Sequence, residues 1–160
     1  MPVNHDTSVS GGDTVSSIGW NNDHDVTGAF SMITFTFTSN PNGVEHTVSS
    51  TNYEDVSNTT LVLPGTSMQS DGYNKAKLIL LAKGDKAGGT KQVRIYNDTD
   101  SAEVVASGTW SGTSNESELS AIASYSFPTG VSKEYIIQVK SSDSTETITL
   151  YQVILIAYVA

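Results

Sequence analysis

The segment between positions 21 and 25 holds the densest group of side chains that could do chemistry. It supplies five oxygen or nitrogen donors in a row: Asn21, Asn22, Asp23, His24 and Asp25. Side-chain and carbonyl oxygens are the ligands that calcium prefers, but an EF-hand also needs a glycine and a closing glutamate at offsets that this segment does not provide. We expect an ordinary polar loop, with Asn21, Asp23 and Asp25 as secondary candidates for metal ligands. No cofactor is expected.

The residues that could catalyse a reaction are scattered. The three histidines, His5, His24 and His46, are far apart in the sequence, and no serine stands in a Gly-x-Ser-x-Gly elbow. A glycosidase needs two carboxyl groups facing each other across a cleft. The candidate acids fall at predicted strand ends or in loops, where a solvated carboxylate is the ordinary case. A triad assembled by the fold remains open, but we expect no enzyme.

Aromatic side chains form the remaining candidate site. Aromatic rings can stack on the apolar faces of sugars, so Trp20 and Trp110 are candidates for a ligand-facing surface, together with Tyr53, Tyr73, Tyr96 and Tyr125. The plainer interpretation, which we favour, is that both tryptophans close the ends of a hydrophobic core.

Composition limits the partners. The net charge is −9, and the eight lysines and arginines are spread along the chain, so no basic stripe is available to neutralise nucleic-acid phosphates. The chain has no cysteine, which excludes disulfides and thiolate metal sites. Only 16% of residues are charged, and surface polarity comes from Ser, Thr and Asn, as is typical of extracellular or particle-surface β proteins. A length of 160 residues predicts one domain, residues 1–160.

The elements that must position these residues are predicted to be strands. Residues 31–38 (SMITFTFT) alternate apolar and threonine side chains, the period of a half-buried strand. The sequence Asn40-Pro41-Asn42-Gly43 predicts a hairpin turn, with residues 44–50 returning antiparallel beside the first strand.

Further strands are predicted along the rest of the chain. They cover residues 13–20, 60–63, 75–83, 91–97, 102–110, 119–127, 134–140 and 147–159. Residues 91–97 and 102–110 form a hairpin, and residues 134–140 and 147–159 form another about residues 141–145. Helix is an alternative for residues 75–83 and for the first half of 119–127, but the short lengths between turn signals favour strands.

The last predicted strand organises the others. Residues 148–159 are apolar and rich in β-branched and aromatic side chains, and they are too few for a membrane-spanning helix, which needs about 20. Such a strand needs cover on both faces. We expect it to lie centrally in a sheet, and the alternative is that part of its apolar face meets another copy of the chain.

These patterns predict an all-β fold: a two-sheet antiparallel sandwich, jelly-roll-like, with eight to ten strands. The predicted core comprises Phe35, Phe37, Leu78, Leu80, Ile148, Leu150, Val153 and Leu155.

Two stretches carry a resemblance. Residues 75–110 contain a strand that opens on Lys-Ala-Lys, a Gly-rich loop and Val-Arg-Ile-Tyr-Asn, and residues 134–158 contain Tyr-Ile-Ile-Gln-Val-Lys before the apolar final strand. About half the chain thus resembles the small β-sandwich proteins that build or decorate the virions of bacterial and archaeal viruses. The resemblance transfers no functional residue.

The resemblance implies a structural role in a capsid or decoration layer. The expected partners are copies of the chain, as a homo-oligomer such as a trimer, and other particle proteins. The expected location is a virion or an extracellular particle surface. The alternative from another class is a non-catalytic carbohydrate-binding module, whose partner would be a carbohydrate.

Overall fold

The computed structural model describes residues 32–63, 73–113, 116–128 and 131–159. The predicted strand 13–20 and loop 21–25 lie outside the described residues, and with them Trp20, Asn21, Asp23 and Asp25. The described residues belong to one compact unit, Ser31–Ala160. A single domain over residues 1–160 stays a prediction.

The described chain is all β-strand, turn and loop, without a helix. Its strands are β1 (Met32–Thr47), β2 (Glu54–Asp55), β3 (Leu61–Leu63), β4 (Lys75–Gly84), β5 (Lys91–Asn97), β6 (Ala102–Ala106), β7 (Glu116–Ser124), β8 (Lys133–Ser141) and β9 (Thr147–Tyr158). None of the described residues forms a helix of the length and hydropathy needed to cross a membrane.

The strands form two antiparallel sheets. The four-stranded sheet has the order β1-β9-β4-β7, and the five-stranded sheet has the order β2-β8-β5-β6, with β3 also paired to β8. If β2 and β3 are counted as one interrupted strand, each sheet has four strands and the chain changes sheet at every connection except that from β5 to β6, which is the jelly-roll arrangement. The predicted sandwich is confirmed.

The core lies between the sheets. Ala76, Leu78, Leu80 and Ala82 of β4 are fully buried at every second position. This alternation follows from the two-residue period of a strand. The predicted core residues are buried, except that Phe35 is partly exposed and packs against the core. The prediction that the last strand has a neighbour on each side is also confirmed, because β9 pairs with both β1 and β4.

The predicted hairpin at Asn40 to Gly43 is wrong. Strand β1 continues through these residues, and both of its halves pair with β9: Ser39 with Gln152, then Val44 with Leu150. The four intervening residues bulge from the strand. Gly43 has a φ of +78°, as an Asn-Gly turn would require, but the turn chemistry here makes a bulge because β9 is long enough to pair with both halves.

The predicted hairpin between the last two strands is also wrong. Strand β8 lies in the five-stranded sheet and β9 in the four-stranded sheet, so residues 142–146 cross from one sheet to the other. Each strand is flanked by other strands in its own sheet. The local pattern of two strands and a polar turn is the same for a hairpin and for this crossing.

The hairpin of β5 and β6 is confirmed, with the turn at residues 98–100. Strand β6 ends at Ala106, earlier than predicted, and Trp110 makes only an isolated bridge to Lys91. A predicted short strand near residue 60 corresponds to β3, and the predicted strand 119–127 corresponds to β7, which begins at Glu116.

Candidate interaction surface

The side of the four-stranded sheet that faces away from the core carries an unusual number of apolar side chains. We call it the outer apolar face; its members are Met32, Ile79, Leu81, Ile122, Ile154 and Ile156. They arise because β4 and β9 are apolar at nearly every position, whereas a half-exposed strand alternates apolar with polar residues.

The register places these side chains in rows across the sheet. Ile156 pairs with Thr34 of β1 and Lys77 of β4, and Lys77 pairs in turn with Ile122 of β7. In the next row, Ile154 pairs directly with Ile79. Side chains opposite each other in antiparallel strands are in contact distance. Ile79, Ile154 and Ile156 therefore lie side by side, and Lys77 lies between Ile156 and Ile122.

Two members of this surface are strongly exposed. Ile122 retains 63% of its accessible surface and Met32 retains 61%, while Ile79, Leu81, Ile154 and Ile156 are half-buried. A strand that is apolar on both faces, as β4 is at Ile79 and Leu81, needs cover on both sides, and these two side chains are covered only in part. A contiguous exposed apolar patch is a common mark of an interaction site.

Lysines of β4 lie on the same side of the sheet. Lys75, Lys77 and Lys83 alternate with the buried β4 residues, and the Nζ of Lys75 donates a hydrogen bond to the hydroxyl of Ser124 at 2.7 Å. Their aliphatic stems can cover apolar neighbours while the ammonium groups reach solvent. The surface thus combines apolar side chains with lysines of the central strand β4, on a chain whose net charge is −9.

The opposite side of the sandwich has a different chemistry. On the five-stranded sheet, the guanidinium of Arg94 lies 3.8 Å from the ring centroid of Tyr53 and 4.5 Å from that of Tyr96. The same guanidinium donates to Gln138 Oε1 at 2.8 Å and to Glu103 Oε2 at 3.0 Å. These groups satisfy one another, so this side is a solvated polar network.

Tyr53 is held within that network. Its hydroxyl donates to Gln92 Oε1 at 2.8 Å, and the ammonium of Lys140 lies 4.5 Å from its ring. Burial raises the pKa of Tyr53 to about 12, and the carboxylate of Glu103 acts in the same direction while Arg94 opposes it. The phenol therefore stays protonated, and its ring is already engaged by Arg94 and Lys140.

The predicted ligand-facing tryptophan is not on the surface. Trp110 is buried, with 6% of its surface exposed, and its backbone pairs with Lys91. The preferred interpretation, that this tryptophan closes the hydrophobic core, is correct for Trp110. The alternative, that Trp110 offers an exposed ring on which a ligand stacks, is wrong. Trp20 lies outside the described residues. Tyr73 is also buried, and Tyr125 makes an edge-on contact with Phe127.

Among the described residues, no three His, Asp or Glu side chains converge on a point where they could hold a metal ion. His46 is paired with Glu54, with Nε2 and Oε2 3.1 Å apart. The Glu54 carboxylate also accepts hydrogen bonds from the backbone and hydroxyl of Ser49 and from the backbone of Ser50. Burial raises the pKa of Glu54, but these hydrogen bonds outweigh burial and lower it to about 2. These contacts of Glu54 hold together the turn between Ser49 and Glu54.

No family model matches the chain, and no curated protein matches it. Solved structures with a similar fold include latent PorU of Porphyromonas gingivalis, which is 14% identical with a TM-score of 0.46 over 81% of this chain and 12% of PorU. The VP2 subviral particle of infectious bursal disease virus is 7% identical, with a TM-score of 0.43 over 82% of this chain and 33% of VP2. The C-terminal domain of EclA, a sugar-binding protein, is 13% identical, with a TM-score of 0.39 over 82% and 84% of the two chains.

These neighbours include a virus-particle protein and a sugar-binding domain, and at these identities and TM-scores they carry no argument about what this chain does. The chain spans an eighth of PorU and a third of VP2. None of these neighbours supports the finer expectation of a bacterial or archaeal virus.

Proposed function

We propose that this protein is a structural building block that pairs with a second copy of itself through the outer apolar face. The observation that supports this proposal is the apolar surface around Ile122, Ile154 and Ile156, on a sheet whose other side already forms the core. Removing apolar surface from water is the main driving force of stable association.

The size of the face suits a pair of copies. Four strands spaced about 4.8 Å apart, with a rise of about 3.3 Å per residue along the twelve residues of β9, make a face on the order of 700 Å². A specific interface of standard size buries about 800 Å² on each partner. The whole outer side of this sheet, its polar residues included, is therefore close in size to a standard interface.

A two-fold axis parallel to the strands, between β9 and β4, would lay β4 of one copy over β9 of the other. The lysines of β4 would then meet the threonines and isoleucines of the partner copy instead of its lysines. Symmetric contacts of this kind close on themselves, which favours a small oligomer over an open chain. A trimer would need a different contact, for example through β1 and β7, which are the edge strands of this sheet among the described residues.

The proposed setting is a virion or an extracellular particle surface, where the homo-oligomer also contacts other particle proteins. The proposed role requires no catalysis, no cofactor, no nucleic acid and no membrane span. The polar network around Arg94 would face outward, in keeping with the Ser-, Thr- and Asn-rich composition.

Light scattering coupled to a sizing column, over a range of protein concentrations, tests this proposal. The unmodified chain is expected to elute at twice the monomer mass of 17.0 kDa at high concentration. Ile122→Asp and Ile156→Asp should each give a monomer, because desolvating a carboxylate at an interface costs more than its pairing with Lys77 returns.

The matched control is Val62→Asp. Val62 is 60% exposed and lies on β3 of the other sheet, so its replacement should leave the dimer intact. A chain that stays monomeric at every concentration, or a dimer that Val62→Asp breaks and Ile122→Asp does not, contradicts the proposal.

A further inference from the structure

In the four-stranded sheet, the pairing register of β9 shifts near its middle, against both of its partner strands. On β1 the register against β9 shifts twice, between Thr36 and Thr38 and again between Ser39 and Val44, and between β9 and β4 it shifts at Leu81/Ala82. The pairing of β4 with β7 shifts between Leu80 and Ala82. On β9, Tyr151 lies between Leu150 and Gln152, both of which pair with β1 and β4. Bulges bend strands and re-aim side chains, and they are common next to functional sites.

A shallow concavity of about 470 Å³ opens at this level. Its lining residues are Ser39, Asn40, Pro41, Leu81, Tyr151 and Gln152. Ser39, Asn40 and Pro41 come from β1, at its bulge and just before it. Tyr151 and Gln152 come from the bulge of β9, and Leu81 comes from β4. The volume falls in the range of about 300–1,000 Å³ that is usual for small-molecule sites.

The polar groups of this concavity are available for a ligand. Asn40 Oδ1 accepts a hydrogen bond from the backbone of Asn42 at 3.0 Å, which holds the amide in place and leaves its NH₂ group as a donor. Within the described chain, the Gln152 amide and the Ser39 hydroxyl make no side-chain hydrogen bond. Two amides and one hydroxyl supply both donors and acceptors.

The rest of the lining is apolar or aromatic, and none of the six residues is charged. Leu81 and Pro41 supply apolar surface, and Tyr151 supplies a ring. The ammonium of Lys83 lies 5.7 Å from the centroid of this ring, and Lys83 is not part of the lining. A phosphate or carboxylate ligand would find no charged partner in the lining, which argues against anionic ligands.

The ring of Tyr151 is held by Gly43. A Cβ atom added at Gly43 would overlap Thr149 Cγ2 and would lie 3.3 Å from Tyr151 Cε1. The backbone φ of +78° at this position also disfavours any other residue. Gly43 is therefore a positioning residue that lets the bulge close against Tyr151.

We propose that this concavity binds a neutral saccharide. A pyranose ring offers an apolar face that suits Tyr151 and Leu81, and its hydroxyls both donate and accept, as Asn40 and Gln152 do. This inference goes beyond self-association, but the concavity shares Leu81 with the outer apolar face and lies near the middle of β9. A bound sugar and a second copy of the chain would therefore compete for this side of the sheet, and the titration is done at a protein concentration at which copies do not pair.

Nuclear magnetic resonance titration tests the site on the full chain. The probes are glucose, galactose, mannose, N-acetylglucosamine and their β-1,4 and α-1,4 oligomers, with glucuronic acid as the charged comparison. At least one neutral sugar is expected to shift the amide signals of Gln152 and Asn40 and the ring signals of Tyr151, with glucuronic acid binding more weakly. Shifts confined to other residues, or no shift with any neutral sugar at tens of millimolar, overturn the proposal.

Variants separate this site from the proposed interface. The double change Asn40→Ala and Gln152→Ala should weaken binding about tenfold or more through lost hydrogen bonds, with the oligomer mass unchanged. Thr36→Ala, an exposed residue on the same side of β1, is the control and should leave the affinity unchanged. Equal affinity of the double variant and the unmodified chain would refute the site even if the dimer persists.

Gly43→Ala adds a test of positioning. It should shift the Tyr151 ring signals in the absence of sugar and lower the affinity, while the far-ultraviolet circular dichroism stays that of a β protein. An unchanged Tyr151 environment in this variant would contradict the role of Gly43.

Discussion

Lys91 and Glu146 form an ion pair that is wholly buried between the two sheets. The Nζ of Lys91 lies 3.4 Å from Oε1 of Glu146, and neither side chain has any exposed surface. Lys91 begins β5, and Glu146 ends the segment that crosses to β9. The ammonium also donates to the carbonyl oxygens of Lys86 and Gly89, so it ties the loop between β4 and β5 to this crossing.

Breaking this pair on one side should strongly destabilise the protein. Glu146→Ala leaves a buried ammonium without its counter-charge, and such changes cost about 3–5 kcal/mol. The measurement is urea unfolding followed by tryptophan fluorescence. The double variant Lys91→Met with Glu146→Leu removes both charges and should be more stable than Glu146→Ala; the opposite order would show that the pair is not coupled.

Gly84 should be intolerant of a side chain for the same reason. A Cβ atom at this position would overlap Lys91 Cε and Glu146 Oε1. Gly84→Ala is therefore expected to lower the melting temperature by several degrees, whereas Gly108→Ala, where an added Cβ atom meets nothing within 4 Å, should change it little. Equal effects of the two substitutions would contradict the close packing around the ion pair.

Two adjacent residues of β9 test the assignment of inner and outer faces. Leu155 is completely buried, and Leu155→Ala should lower the free energy of unfolding by about 2–5 kcal/mol. Ile154 points to the other side and is half-buried, so Ile154→Ala should cost clearly less in the monomer. Chemical denaturation at low protein concentration measures both, and a larger cost at Ile154 would reverse the assignment.

The stability contributed by Glu54 should depend on pH. Its pKa falls from 4.5 to about 2 in the folded protein. A depressed carboxyl pKa adds stability that is fully present above pH 4.5 and is lost as the pH falls toward 2. Glu54→Gln should therefore be less stable than the unmodified chain at pH 6, and the difference should shrink by pH 2.5.

Urea titrations at pH 6, 4 and 2.5 measure that difference. Asp98→Asn is the control, because Asp98 is an exposed turn residue without an ion pair in the described structure. A difference between Glu54→Gln and the unmodified chain that stays constant across this range would contradict the predicted linkage.

Metal removal should leave the fold intact. The described core is apolar, and the one buried cation in it that pairs with a carboxylate is the ammonium of Lys91. Excess chelator is therefore expected to leave the melting temperature unchanged. A fall of many degrees that calcium reverses would establish a metal site and would direct attention to Asn21, Asp23 and Asp25.

The sequence by itself determined where most strands lie and which side chains face the core. The alternation of Leu78 and Leu80 with Ile79 and Leu81 specifies two faces of one strand whatever its neighbours are, because successive side chains point to opposite sides. The same reasoning predicted a central, buried β9 and a two-sheet sandwich. It also pointed to Trp110 as a residue of the core.

Only the tertiary structure decided which strands pair and what each outward face meets. The Asn42-Gly43 pair suits the turn of a hairpin and also a bulge within one strand. The structure has the bulge, because β9 is long enough to pair with both halves of β1. Residues 142–146 can turn within a sheet or cross between sheets, and the choice depends on partners distant in sequence. Lys91 pairs with Glu146 between the two sheets, and Asn40 lies near Tyr151 and Gln152 on neighbouring strands of one sheet. Both arrangements join residues that are distant in sequence, which local periodicity does not encode.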